Sequence, residues 1–203
     1  MSQLPDVTAC IGLRAKTARA IAVVLAGSRA SPQPVARTEI ILASSSTPAL
    51  FQPYHAVMDL PWDRATSAVR KAEEAIEVAA SMGLKALLDE LRSRGFRASK
   101  VGIVGAPARN LAAIASPHIR AHAAEGVLFR HVLEVGAQSN DLPWISFPER
   151  GFDQLAASHL GLSIEIMQAR LADIGRAFGR PWRADQKAAA IAAWIGLAGR
   201  GAA

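Results

Sequence analysis

A chain of 203 residues, 51% hydrophobic and 20% charged, can bury one full core and is far from the composition of a disordered segment. Its formal charge of +6 and pI near 10.2 favour anionic partners, with nucleic acid first. Its one cysteine, Cys10, excludes an internal disulfide and any cysteine-based zinc knuckle.

Other features narrow the class further. Arginines are scattered from Arg14 to Arg200 without the basic run of a nucleic-acid-binding tail. The opening MSQLPDVTAC lacks the basic start of a signal peptide. The most apolar run, AAAIAAWIGLAG from Ala188 to Gly199, falls well short of the roughly 20 residues a membrane span needs. One cytoplasmic domain over residues 1–203 is expected, with flexible ends at 1–6 and 199–203 and no membrane partner.

Taken in chain order, VTACIGLRA and ARAIAVVLAG are short, apolar and rich in β-branched residues, and they read as a hairpin turning at Ala15–Thr17. Cys10 lies inside the first of these strands and reads as a buried thiol. PVARTEIILA, from Pro34 to Ala43, is a third strand. A polar loop containing FQPYHAVMDLPW then leads into a helical pattern with Ala65, Val69, Ala72, Ile76 and Ala79 at helical spacing. Gly83 is expected to kink or divide this helix before LKALLDELRSRG, which stops at Gly95. KVGIVGAPA, from Lys100 to Ala108, has the unbroken apolar run of a central strand covered on both faces. Ser116 and Pro117 mark the start of the next helix as N-cap and first-turn proline. DLPWISFPE is a fifth strand, and FDQLAASHLG, SIEIMQARLADIGRAFG and ADQKAAAIAAWIGLAG are helical. The order β-β-β-α-β-α-β-α predicts an α/β fold, a mixed five-stranded sheet with helices on both faces.

IGLRAKTARAIAVV, HAAEGVLFRHVLEVGAQSNDLPWISFPERGFDQLA and KAAAIAAWIGLA resemble three parts of the RuvC-type Holliday-junction resolvases of the ribonuclease H-like superfamily. These are the opening hairpin, the second helix through the fifth strand, and the small-residue last helix. The resemblance implies that fold, and a site where carboxylates gather two divalent metals that activate water and stabilise the leaving oxygen. Carried over position by position, the acid ending the first strand falls on Arg14. The fourth-strand acid falls near Gly105, and the paired acids of the last helix fall around Ala184 and Lys187, with Asp185 between them. The basic residue expected after the fifth strand falls on Asp153. A guanidinium, a glycine and an ammonium do not hold a metal, so two-metal nuclease activity, a resident metal and a cofactor are not expected. Arg14, Lys16 and Lys187 would instead form a cationic end of the sheet able to hold phosphate or carboxylate. Alternatively, Arg14 pairs structurally with Asp185 or Glu125.

His118, His122 and Glu125 follow at i, i+4 and i+7 on one helix face. That spacing suits two metal-ligating histidines with a carboxylate as third ligand or base, and equally a polar face or an interface. His55, with Tyr54, Asp59 and Trp62, marks the FQPYHAVMDLPW loop as a lid or partner contact, or as a loop plugged onto the core by Phe51, Tyr54 and Trp62. The leading expectation is a catalytically degenerate protein that binds nucleic acid or a protein partner. The alternatives are a hydrolase with relocated chemistry, metal- or histidine-dependent and acting on an anionic substrate, and a structural homo-oligomeric subunit.

Overall fold

The computed structural model describes residues 7–199. The ends expected to be flexible, 1–6 and all of 199–203 but Gly199, lie outside the described residues, as does Arg200.

Strand β1 (Val7–Lys16) pairs antiparallel with β2 (Arg19–Gly27), the register running from Ala9↔Ala26 to Lys16↔Arg19. The connecting residues are Thr17 and Ala18, one position beyond the expected turn. Ala18 adopts a left-handed φ of 58°, which costs a residue with a Cβ about 1–2 kcal/mol. Its carbonyl offsets this by accepting the amides of Leu42 at 2.8 Å and Ala43 at 3.1 Å. Those residues follow β3 (Pro32–Ile41), which pairs antiparallel with β2. β3 begins and ends two residues before its expected span. It is an edge strand, so Pro32 and Pro34 are tolerated there.

The loop after β3 carries a short helix α1 (Pro48–Phe51) and a 3-10 turn at His55–Val57. Helix α2 (Trp62–Ser93) then runs unbroken for 32 residues. Gly83 does not divide it; a Cβ there would lie 2.5 Å from Ile40 Cγ2, so the glycine admits the side chain of β3. Strand β4 (Phe96–Gly105) lies parallel to β1. It starts earlier than expected because Phe96–Ala98 pair with Val7–Ala9, a non-local contact that local pattern does not encode. Helix α3 (Pro117–Ser139) is capped by Ser116, whose hydroxyl accepts the Ile119 amide. β5 (Trp144–Pro148) joins β4 in parallel, followed by α4 (Phe152–Leu160), α5 (Ile164–Phe178) and α6 (Ala184–Ala198).

The sheet order is β3-β2-β1-β4-β5. Alternation along the strands divides the core in two. Ile11, Leu13, Ala20, Ala22, Val24, Val101 and Ile103 face α2 and α3. Cys10, Val23, Leu25 and Val104 face the layer of α4, α5 and α6, where Trp194 is fully buried. The Cys10 thiol is buried as expected. No helix among the described residues is long and apolar enough to cross a membrane.

Helix α6 lies directly on the backbone of the sheet. A Cβ on Gly12 would run into the Ala189 carbonyl oxygen and come within 2.6 Å of the Ala193 amide; one on Gly102 would meet the Ala192 carbonyl oxygen at 2.6 Å. Backbone therefore rests on backbone, and α6 is all small residues where it touches: Ala189, Ala192, Ala193 and Gly196. Gly12→Ala is expected to lower the unfolding free energy by about 3 kcal/mol, the upper part of the overpacking range. Gly151→Ala, left-handed at φ 75° with nothing within 4 Å, should cost only the backbone penalty of about 1 kcal/mol. Urea unfolding of the two variants measures the difference, and equal costs would contradict the seating of α6.

Candidate functional site

Seating α6 on Gly12 determines what happens at the carboxyl end of β1. The helix runs antiparallel to the strand, with Ala189 over Gly12 and Gly196 over Cys10. Stepping back four helical residues covers about 6 Å, and stepping two residues along a strand covers about 6.6 Å. Asp185 is thereby brought over Arg14.

Arg14 Nε lies 3.4 Å from Asp185 Oδ1, and its Nη1 lies 2.5 Å from Glu149 Oε1. Nη1 also donates to the Val104 carbonyl at 3.4 Å. Lys16 Nζ reaches the same Asp185 oxygen at 3.4 Å. The Arg14 side chain is only 12% exposed, so its charge is spent within the protein on two carboxylates and a carbonyl. Of the partners considered from sequence, Asp185 is engaged and Glu125 is not. Glu149 was missed. The signal for it was its place just past the fifth strand, at the same sheet end as Arg14, where ligands and charged groups collect in such folds. Lys187 is half-buried on α6 and does not line the cleft described next.

That cleft, of about 180 Å³, opens between the β1–β2 turn and α3. Arg14, Lys16, Thr17, His122, Glu125 and Glu149 supply its polar wall. The lining carries two cations, Arg14 and Lys16, and two acids, Glu125 and Glu149, so the wall is charge-balanced rather than strongly cationic.

Glu125 is the one buried charged residue among the described residues, 3% exposed. Its Oε1 accepts the backbone amide of His55 at 3.1 Å and His55 Nδ1 at 2.8 Å. A carboxylate offers only acceptors, so His55 donates from Nδ1, and in the neutral ring the lone pair is then on Nε2. His55 Nε2 is buried with no hydrogen-bond partner. His118 and His122, both exposed on α3, stand against the same ring: centroid separations are 5.2 Å from His55 to His118, 4.3 Å to His122, and 4.5 Å between the α3 pair. The structure thus joins residues that sequence pattern places in two separate constellations, the α3 face and the loop after β3.

The loop is held by packing, as one of its two sequence readings anticipated. Tyr54 is buried, stacks on Trp62 with centroids 5.6 Å apart, and donates its hydroxyl to Glu73 Oε1 at 3.0 Å. Burial, and then the Glu73 carboxylate, push the Tyr54 phenol far above its ordinary pKa. The Arg120 guanidinium lies over the Trp62 ring at 5.7 Å. These contacts fix the residue immediately before His55.

No family model matches the sequence, and no curated protein matches it. Among solved structures, the chain is similar to Thermus thermophilus RuvC, with 14% identity over 92% of each chain and a TM-score of 0.50. It is similar also to T. thermophilus RuvC in complex with a Holliday junction substrate, with 10% identity over 93% of this chain and 91% of that one and a TM-score of 0.51. The fold expected from the sequence, a RuvC-like ribonuclease H fold with a mixed five-stranded sheet, is the fold observed.

Because Arg14 answers two acids from a mostly buried position, Arg14→Met should lower stability by about 1–2 kcal/mol, removing the cation beside Glu149 and one of the two beside Asp185. Lys16→Met, more exposed, should cost less than about 1 kcal/mol. Urea midpoints of the two variants test the ranking; equal losses would show that Arg14 is not the centre of the network.

Proposed function

We propose that this protein binds nucleic acid through its phosphates, at the carboxyl end of the sheet, without cutting it. The observation that carries the reading is Arg14. It stands at the first-strand position where the resembled resolvases carry an acid, with its guanidinium engaged by Glu149 and Asp185. A two-metal phosphodiesterase needs carboxylate oxygens converging on its ions. Here two of the nearby acids are committed to a cation and the third, Glu125, to His55.

The binding half of the proposal rests on other cations. Arg109 follows β4, Arg150 follows β5 and Arg183 precedes α6, and all three are exposed. Because β1, β4 and β5 are parallel, these loops share one end of the sheet with Lys16. Exposed arginines on a surface, rather than the balanced cleft, are what phosphate contacts require. The net charge of +6 would favour the encounter. A solved RuvC of similar fold was captured with a Holliday junction substrate, which makes branched DNA the first ligand to try.

The test is a fluorescence-anisotropy titration with duplex, four-way-junction and single-stranded DNA between about 50 and about 200 mM salt. Affinity should fall steeply with salt. The double variant Arg109→Ala/Arg150→Ala should flatten the log–log slope by roughly two, one for each lost phosphate contact. Each substrate should also stay intact with Mg²⁺ or Mn²⁺ present. Absence of binding at the low-salt end, or cleavage of the junction, would overturn the proposal.

A further inference from the structure

The cluster formed by His55, His118 and His122 is not used by phosphate binding at the arginine-bearing loops, and its chemistry is of a different kind. Each of the three residues offers one ring nitrogen, and these nitrogens lie within 4.8 Å of one another. It is the sole such group of three or more histidine, cysteine or acidic side chains among the described residues. We propose that His55, His118 and His122 bind a zinc ion, with Glu125 as the carboxylate that orients His55.

Three observations converge. The first is spacing: two histidines one turn apart on α3 project from a single face, the arrangement by which a helix supplies two ligands to one ion. The second is the state of His55. Nδ1–H donates to a buried carboxylate at 2.8 Å, which in the neutral ring leaves the lone pair on Nε2, an atom removed from solvent and without a hydrogen-bond partner. A buried acceptor left unpaired is costly unless a ligand completes it. The third is Glu125 itself. Metal-binding histidines almost always give their other ring N–H to a carboxylate or carbonyl, which fixes the tautomer and strengthens the ligand. Here that partner is already in place, held additionally by the His55 backbone amide.

The ligand set selects the metal. Three neutral imidazoles suit zinc, copper or nickel, and disfavour magnesium and calcium, which take oxygen. Tetrahedral zinc at about 2.0–2.1 Å from each nitrogen puts the ligand nitrogens roughly 3.4 Å apart. The exposed rings of His118 and His122 are free to close that difference by side-chain rotation, while His55 stays fixed. Three protein ligands leave a fourth position for water or an anionic oxygen, as in open zinc sites. His122 and Glu125 also line the cleft that holds Arg14 and Lys16, so an anion entering that cleft would meet the ion's open side.

The experiment uses the full chain without a histidine tag, stripped by chelator and titrated with Co²⁺ as a visible probe. Expected is a d–d absorption that saturates at one equivalent and is abolished by one equivalent of Zn²⁺. His118→Ala and His122→Ala replace exposed side chains and should leave the circular dichroism unchanged while weakening Co²⁺ binding at least about 100-fold. Glu125→Gln should weaken it about 10- to 100-fold. A folded wild-type chain with no saturable band would overturn the proposal. So would a double variant His118→Ala/His122→Ala that binds as tightly as wild type. Neither readout involves nucleic acid, so the zinc site and the phosphate-binding reading stand or fall separately.

Discussion

The contact between α6 and the bare backbone of Gly12 and Gly102 is the constraint on which the rest of the architecture depends. A helix normally stands off a sheet by the thickness of two layers of side chains. Here both layers are reduced to almost nothing, and the carbonyls of Ala189 and Ala192 lie where side chains of β1 and β4 would be. Interiors packed at such density do not deform smoothly. The helix consequently has one seat, and its first turn has one position relative to the end of β1. Asp185 reaches Arg14 and Lys16 because of that seat, not through any affinity in the local sequence.

Arg14 then sets how the charged groups at this end of the sheet are arranged. Acids at this end of the sheet gather around a guanidinium. Two acids and a carbonyl around one planar cation form a self-neutralising unit, and its members have little charge left for a ligand. The strand order brings particular positions together, and the side chains at those positions decide the chemistry. Exposed cations at this end of the sheet include Arg109, Arg150 and Arg183, on the loops.

Glu125 links this centre to the histidine cluster. It lines the same cleft as Arg14, yet its oxygen is taken by His55. Burial at 3% exposure makes an unpaired charge there untenable, so the His55 loop and the middle of α3 must be docked together. Stacking of Tyr54 on Trp62 and the Tyr54–Glu73 hydrogen bond secure the docking from the other side. The outcome is two polar assemblies at the rim of one cleft, one closed by internal ion pairs and one with an open nitrogen.

Much of this was legible in the linear chain, for physical reasons. The short segments rich in β-branched residues over Val7–Gly27, the Ser116–Pro117 helix start and the small-residue run Ala188–Gly199 each encode an element locally, and each formed. The helical spacing of His118, His122 and Glu125 put them on one face before any coordinates existed. Local pattern misread Gly83, because a helical glycine looks like a break unless the neighbour it admits, Ile40, is known. Glu149 was passed over despite its place just past the fifth strand, and local pattern could not set His55 beside residues about 70 positions away. Sequence alone determined the elements and the presence of an arginine, Arg14, in the first strand, because periodicity and residue identity are local properties. Only the tertiary structure decided which acids neutralise that arginine and which histidines meet, because those contacts follow from how the helices seat on the sheet.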